Sequence, residues 1–154
     1  MWYTVKVKYN KKGQNGEESK RVSESFLLPA VSFTDAEARI NKEVGQTADG
    51  EFSVNAMSVT EIQDVFRNTE GGQWYMCKIT ISYEDGDKVT KVKQAYMVEG
   101  ISIQDASNSI DTQLKGVMFD YETTNVALSP IMDVFYPDLD VELSREPVAE
   151  IDGE

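Results

Sequence analysis

Two segments of this 154-residue chain set an aromatic ring and lysines on one side of a strand: Trp2, Thr4, Lys6 and Lys8 at the start, and Trp74, Met76, Lys78 and Thr80 in the middle. Aromatic rings beside lysines on a sheet are the means by which many single-strand binders stack bases and follow phosphates. Lys11, Lys12, Lys20 and Arg21 extend the first patch, and Lys88, Lys91 and Lys93 extend the second. The same tryptophans also suit an apolar interface, covered by another structural unit or another subunit, or the wall of a groove for a peptide or small ligand. In each case the candidate contacts are Trp2, Lys6, Lys8, Trp74, Lys78, Lys91 and Lys93.

Other chemistries find little material. The chain has no histidine, which removes Ser-His and Cys-His activation, histidine metal triads and the commonest general base at neutral pH. Cys77 alternates with Tyr75 and Ile79 on one strand face, so it reads as core and not as a nucleophile. A single cysteine forms no internal disulfide and no zinc spacing. Gly71-Gly72 leads into a strand and not into a helix with Lys and Ser/Thr, so it is no phosphate loop. Glu61 and Asp64 stand three apart, but only Asp64 has a counterpart, Asp133; an Asp before Val-Phe at a strand end reads as a turn or backbone cap. The stretch YEDGD (Tyr83 to Asp87) lacks the glutamate that closes a calcium loop and sits where a hairpin turns. The expectation is a binding protein with no enzymatic activity, metal or cofactor.

The elements that carry these residues occur twice. Trp2-Tyr3 and Lys6 fall on Trp74-Tyr75 and Lys78; VSESFLLPAVSFTDAEARI (Val22 to Ile40) falls on VKQAYMVEGISIQDASNSI (Val92 to Ile110); FSVNAMSVTEIQDVF (Phe52 to Phe66) falls on YETTNVALSPIMDVF (Tyr121 to Phe135). Self-similarity of this kind changes the expected fold. Tyr3, Val5, Val7 and Tyr9 alternate with Trp2, Thr4, Lys6 and Lys8, and Tyr75, Cys77, Ile79, Ile81 and Tyr83 alternate with Trp74, Met76, Lys78, Thr80 and Ser82, which is the period of a strand. The first strand turns through the loose loop NKKGQNGEESK, the second through EDGD, where Asp85-Gly86 suits a tight hairpin. Second strands follow at Arg21 to Leu28 and Lys91 to Val98.

Helices start next. Ser32 with Asp35 and Ser102 with Asp105 place a hydroxyl at the N-cap and a carboxylate three residues on; Thr34 with Glu37 offers a second cap in the first copy. Phe33, Ala36, Ile40 and Val44 form one apolar stripe, matched by Ile103, Ala106, Ile110 and Leu114. Gly45 and Gly116 fall where helices end. The closing segments, Glu51 to Phe66 and Asp120 to Phe135, exceed one average strand. With Pro130 inside the second, each is expected to be a bent edge strand or two short strands.

The expected fold is therefore α+β: a tandem, pseudo-twofold duplication of a strand-strand-helix-strand unit, with mostly antiparallel sheets and one helix on each. Residues 1–68 form the first unit, 69–136 the second packed against it, and 137–154 an acidic tail expected to be disordered. One copy buries too little to be stable alone, and two copies bury more. The net charge is −12, and the tail concentrates Asp138, Asp140, Glu142, Glu146, Glu150, Asp152 and Glu154 against Arg145 alone. An acidic body disfavours non-specific duplex binding over a broad surface. Such a tail can compete with nucleic acid for a basic face or recruit partners. No apolar run approaches the roughly 18 residues of a membrane span. With no signal-peptide pattern, a cytoplasmic location is expected.

The ordered set Trp2-Tyr3 with Lys6-Val7, SFTDAEARI (Ser32 to Ile40), GEFSV (Gly50 to Val54), WYMCKI (Trp74 to Ile79), LKGVMFDYE (Leu114 to Glu122) and PIMDVF (Pro130 to Phe135) resembles the family catalogued as domain of unknown function 4494, of Bacteroidota and the phages that infect them. The resemblance covers the chain up to the acidic tail. It implies a compact cytoplasmic or phage-encoded protein and transfers no activity or catalytic residue. Single-stranded nucleic acid, a protein partner of host or phage, and a second copy of the chain remain the candidate partners.

Overall fold

A computed structural model describes residues 1–136; the acidic tail lies outside the described residues. The element order is β1 (Trp2–Lys11), β2 (Lys20–Pro29), α1 (Phe33–Thr47), β3 (Ala48–Thr60), β4 (Asp64–Phe66), β5 (Gln73–Asp85), β6 (Lys88–Gly100), α2 (Ile103–Gln113), β7 (Asp120–Leu128) and β8 (Ile131–Val134). The fold is α+β and carries the strand-strand-helix-strand order twice. Among the described residues, no helix is long and apolar enough to cross a membrane.

The strands form two four-stranded sheets, ordered β3-β1-β2-β8 and β4-β6-β5-β7. Each closing segment is a longer strand followed by a short one, β3 with β4 and β7 with β8, and the short second strand of each repeat joins the sheet built by the other repeat. The compact units accordingly comprise Met1–Val59 with the chain from Asp133 on, and Thr60–Met132, whereas the sequence repeats end at 68 and 136. The second sheet is mixed: β5 pairs antiparallel with β6 and β7, while β4 pairs parallel with β6.

Matched anchors hold the two short strands. In the first unit the Phe135 ring stacks on Phe26 with centroids 4.9 Å apart, and the Phe135 N–H donates to the Leu27 carbonyl at 2.8 Å. In the second, Phe66 stacks on Tyr96 at 5.6 Å. The aspartates that open the shared Asp-Val-Phe motif act on backbone: Asp64 accepts from the Val65 N–H and Asp133 from the Val134 N–H, each at 2.8 Å.

Within each unit the alternating face of the long hairpin buries against the helix stripe. Tyr3, Val5, Val7 and Tyr9 meet Ala36, Ile40 and Val44 in the first core; Tyr75, Cys77, Ile79 and Ile81 meet Ala106, Ile110 and Leu114 in the second. Burial of side chains this apolar is the main driving force for both units. Ser32 and Ser102 are the N-caps, accepting from the Asp35 and Asp105 N–H groups at 3.1 and 3.0 Å. The carboxylates of Asp35 and Asp105 reach back one residue beyond the cap, to the N–H of Val31 and Ile101. Thr34 is a helix residue in α1 and caps nothing.

The two expected helix ends differ. Gly116 lies past α2 with φ +87, the left-handed backbone that favours glycine. Gly45 is inside α1, which continues to Thr47 and passes directly into β3. A glycine ends a helix only when a positive φ is needed there, and Gly45 has none.

Candidate nucleic-acid interface

Residues opposite each other in an antiparallel pair share a face, so the register sorts each hairpin into a helix-covered side and an outer side. On the β1-β2 ribbon, the outer side holds Trp2, Thr4, Lys6, Lys8 and Asn10 opposite Pro29, Leu27, Ser25, Ser23 and Arg21. No carboxylate is among them. On β5-β6 the central outer positions are Met76, Lys78, Thr80 and Ser82 opposite Met97, Ala95, Lys93 and Lys91, and acids stand at both ends of this face, Glu99 opposite Trp74 and Glu84 opposite Val89. Lys6, Lys8, Lys78, Lys91 and Lys93 are all exposed. Among the described residues, the carboxylate that pairs with a lysine is Glu24, which meets Lys11 on the helix side of the first ribbon. None of these outer lysines forms an ion pair among the described residues, in a chain of net charge −12. The β7 edge borders the second face with acids, as Glu122 pairs with Thr80 and Asp120 with Ser82.

The tryptophans behave differently from the lysines. Trp74 is 3% exposed, and the Arg67 guanidinium lies over its ring, 5.5 Å from the centroid. A ring so covered is not presented to a base, so Trp74 is core material and leaves the set of surface contacts. Trp2 is half-buried and meets Tyr136 edge-on, with centroids 5.6 Å apart. Cys77 is fully buried, and desolvation pushes its thiol up to about 11, which keeps it protonated and unreactive at neutral pH.

Two of the predicted contacts meet in a groove of about 490 Å³ within the second unit. Lys78, Val92, Lys93 and Gln94 supply one side, and Glu61, Ile62 and Gln63 the other. The topology creates it. β4 covers β6 only over Tyr96–Val98, and Gln63 N–H donates to the Ala95 carbonyl at 2.8 Å just before it, so β6 is left open from Lys93 towards the hairpin. Backbone groups alternate in direction along a strand, so the N–H and C=O of Lys93 point to the same open side as those of Ala95. A β-bulge lies beside Lys78: the β5-β7 register shifts between Lys78 and Ile79, and the Thr124 hydroxyl donates to the Lys78 carbonyl at 3.3 Å. Such bulges re-aim the neighbouring side chain.

Gln94 is oriented from behind. The Tyr96 hydroxyl donates to its Oε1 at 3.1 Å, and burial first, then the charge of Asp64, raises the Tyr96 phenol above its ordinary value, so the donor stays protonated. At the corresponding positions of the other repeat stand Met132 for Gln63, Ser23 for Lys93 and Glu24 for Gln94. Glu24 is engaged by the Tyr9 hydroxyl and Lys11. Gln63 and Gln94 were missed in the sequence; the signal available there was that the two copies diverge in polar type at these positions.

No curated protein matches the chain, and no solved structure matches it. A family model described as Domain of unknown function (DUF4494) matches residues 1–138, which covers every described element, both lysine faces and the groove. The chain belongs to that family.

Proposed function

We propose that this protein binds single-stranded nucleic acid, without catalysing a reaction on it, in the DNA metabolism of a bacterium or of a phage that infects one. The observation that carries the reading is the pair of outer ribbon faces: the β1-β2 face holds exposed lysines and no carboxylate, and the β5-β6 face sets Lys78, Lys91 and Lys93 together between Glu99 at one end and Glu84 at the other, in a strongly acidic chain. The clustering of these lysines in a chain of net charge −12 leaves a positive strip on each ribbon. Phosphates supply most of the affinity at such a surface. The acidic remainder of the molecule repels the dense charge of a duplex, whereas a flexible single strand can follow a narrow strip. Contact is made by Lys6, Lys8, Lys78, Lys91 and Lys93, with Trp2 at the end of the first strip. The acidic tail modulates binding by competing for the same lysines.

The test is anisotropy of labelled single-stranded oligonucleotides with the full chain and with a chain ending at Tyr136. Binding that weakens with salt and tightens on removal of the tail supports the reading; no binding by the shortened chain at low salt refutes it.

A protein-interaction or self-assembly role is the alternative, favoured by one repeated feature. The residues on either side of each N-cap serine are apolar and exposed: Val31 and Phe33 at 81% and 53%, Ile101 and Ile103 at 67% and 55%. Light scattering that gives a monodisperse monomer, unchanged by Val31→Ser with Ile101→Ser, speaks against self-assembly through them.

A further inference from the structure

The groove beside β6 holds more than a phosphate site needs. Two lysine ammonium groups suffice for an anion, but here they share the space with two carboxamides, a carboxylate and an apolar floor of Ile62 and Val92. Gln63 is exposed, and its amide makes no hydrogen bond among the described residues. Gln94 has its oxygen engaged by Tyr96 and its NH₂ left to donate. Glu61 lines the groove without forming an ion pair with Lys78 or Lys93. A volume of about 490 Å³ falls within the ~300–1,000 Å³ of small-ligand clefts. The combination of cations, amides, a lone acceptor and an apolar floor is the chemistry of a nucleotide, with phosphates outside and a base edge within.

Resting on the reading that the lysine faces hold a single strand, we infer that this groove takes one base of that strand and prefers a base with an exocyclic amino group. Lys78 and Lys93 hold the flanking phosphates. The base lies against Val92, with its hydrogen-bonding edge toward Gln63 and Gln94. Glu61 accepts from the amino group of cytosine or adenine, as carboxylates do when they read bases; thymine offers it a carbonyl, and two acceptors repel. The repeat-related positions form no such reader, because they are Met132, Ser23 and an engaged Glu24.

The experiment compares oligo(dC) with oligo(dT), two pyrimidine strands of equal charge and length, at pH 8 by anisotropy with the full chain. The groove should favour oligo(dC) by about fivefold or more, the lower range of discrimination by a good base contact. Gln63→Met, which installs the residue of the other repeat at an exposed position, combined with Glu61→Gln, should bring the two affinities together while thermal unfolding stays unchanged. Equal wild-type affinities, or a preference that survives both substitutions, would overturn the groove assignment and leave the lysine faces standing. If neither oligonucleotide binds at low salt, the underlying reading fails along with it.

Discussion

Replacing Lys78 and Lys93 together by alanine removes two exposed charges from the centre of one ribbon face. The two occupy diagonal positions of the β5-β6 ribbon, since Lys78 pairs with Ala95 and Lys93 with Thr80. Neither has a carboxylate within ion-pair distance among the described residues, so their loss costs the fold almost nothing and the strand two phosphate contacts. Each phosphate neutralised on a single strand contributes about 0.7 to the slope of log affinity against log salt. Two contacts therefore lower the slope by about 1.4. Taking 1 M salt as the point where the charge contribution vanishes, affinity at 0.1 M should fall by about 25-fold, the tenfold salt range raised to that power. Anisotropy titrations across 0.05 to about 0.4 M sodium chloride measure both quantities. Lys88→Ala is the control, because Lys88 pairs with Asp85 at the hairpin turn on the helix-covered side. If Lys88→Ala costs as much per charge, binding follows net charge and not the face. If the double variant keeps the wild-type slope, the lysine face is not the site.

Three further outcomes follow from the packing and the caps. Trp74→Ala should destabilise the protein by about 3–5 kcal/mol, the usual cost of emptying a buried aromatic site, seen in urea melts; a variant as stable as wild type but unable to bind would restore Trp74 as a contact. Asp35→Asn should flatten the acid limb of stability. The Val31 N–H first, and then Arg39, hold the Asp35 carboxyl below the usual carboxylate value. Its contribution is present above the unfolded-state value near 4 and disappears as pH falls through the lower folded value; a wild-type loss of melting temperature between pH 6 and 3 that Asp35→Asn reproduces in full contradicts this. Chains 1–68 and 69–136 made separately should each lack a cooperative thermal transition, because each carries the short strand of the other's sheet, and mixing them should restore one. A cooperative melt from either fragment alone would show that the strand exchange is dispensable.

The duplication was legible because it is written in residue types: matched alternation in the long hairpins, matched serine and aspartate caps, and a matched Asp-Val-Phe. Each of these is a local signal, acting over a few residues, and the sheets and helices form where it places them. Cys77 reads as core for the same reason, since its neighbours two residues away on either side are Tyr75 and Ile79. Gly45 misled because glycine marks a helix end only through its backbone angle, which composition does not reveal.

The sequence by itself determined the elements, their order, the caps and the sidedness of the lysines, because periodicity and capping are short-range properties of the chain. Only the tertiary structure decided which sheet each short strand joins. Phe66 and Phe135 are equivalent residues in equivalent motifs, and either could stack on the aromatic ring of either sheet; the pairing is a long-range choice with no local mark. The tertiary structure also decided the burial of Trp74, a ring whose strand pattern alone is compatible with either exposure or cover. It also leaves β6 open beyond Tyr96, so that Gln63, Lys78, Lys93 and Gln94, scattered over three elements, come to line one groove.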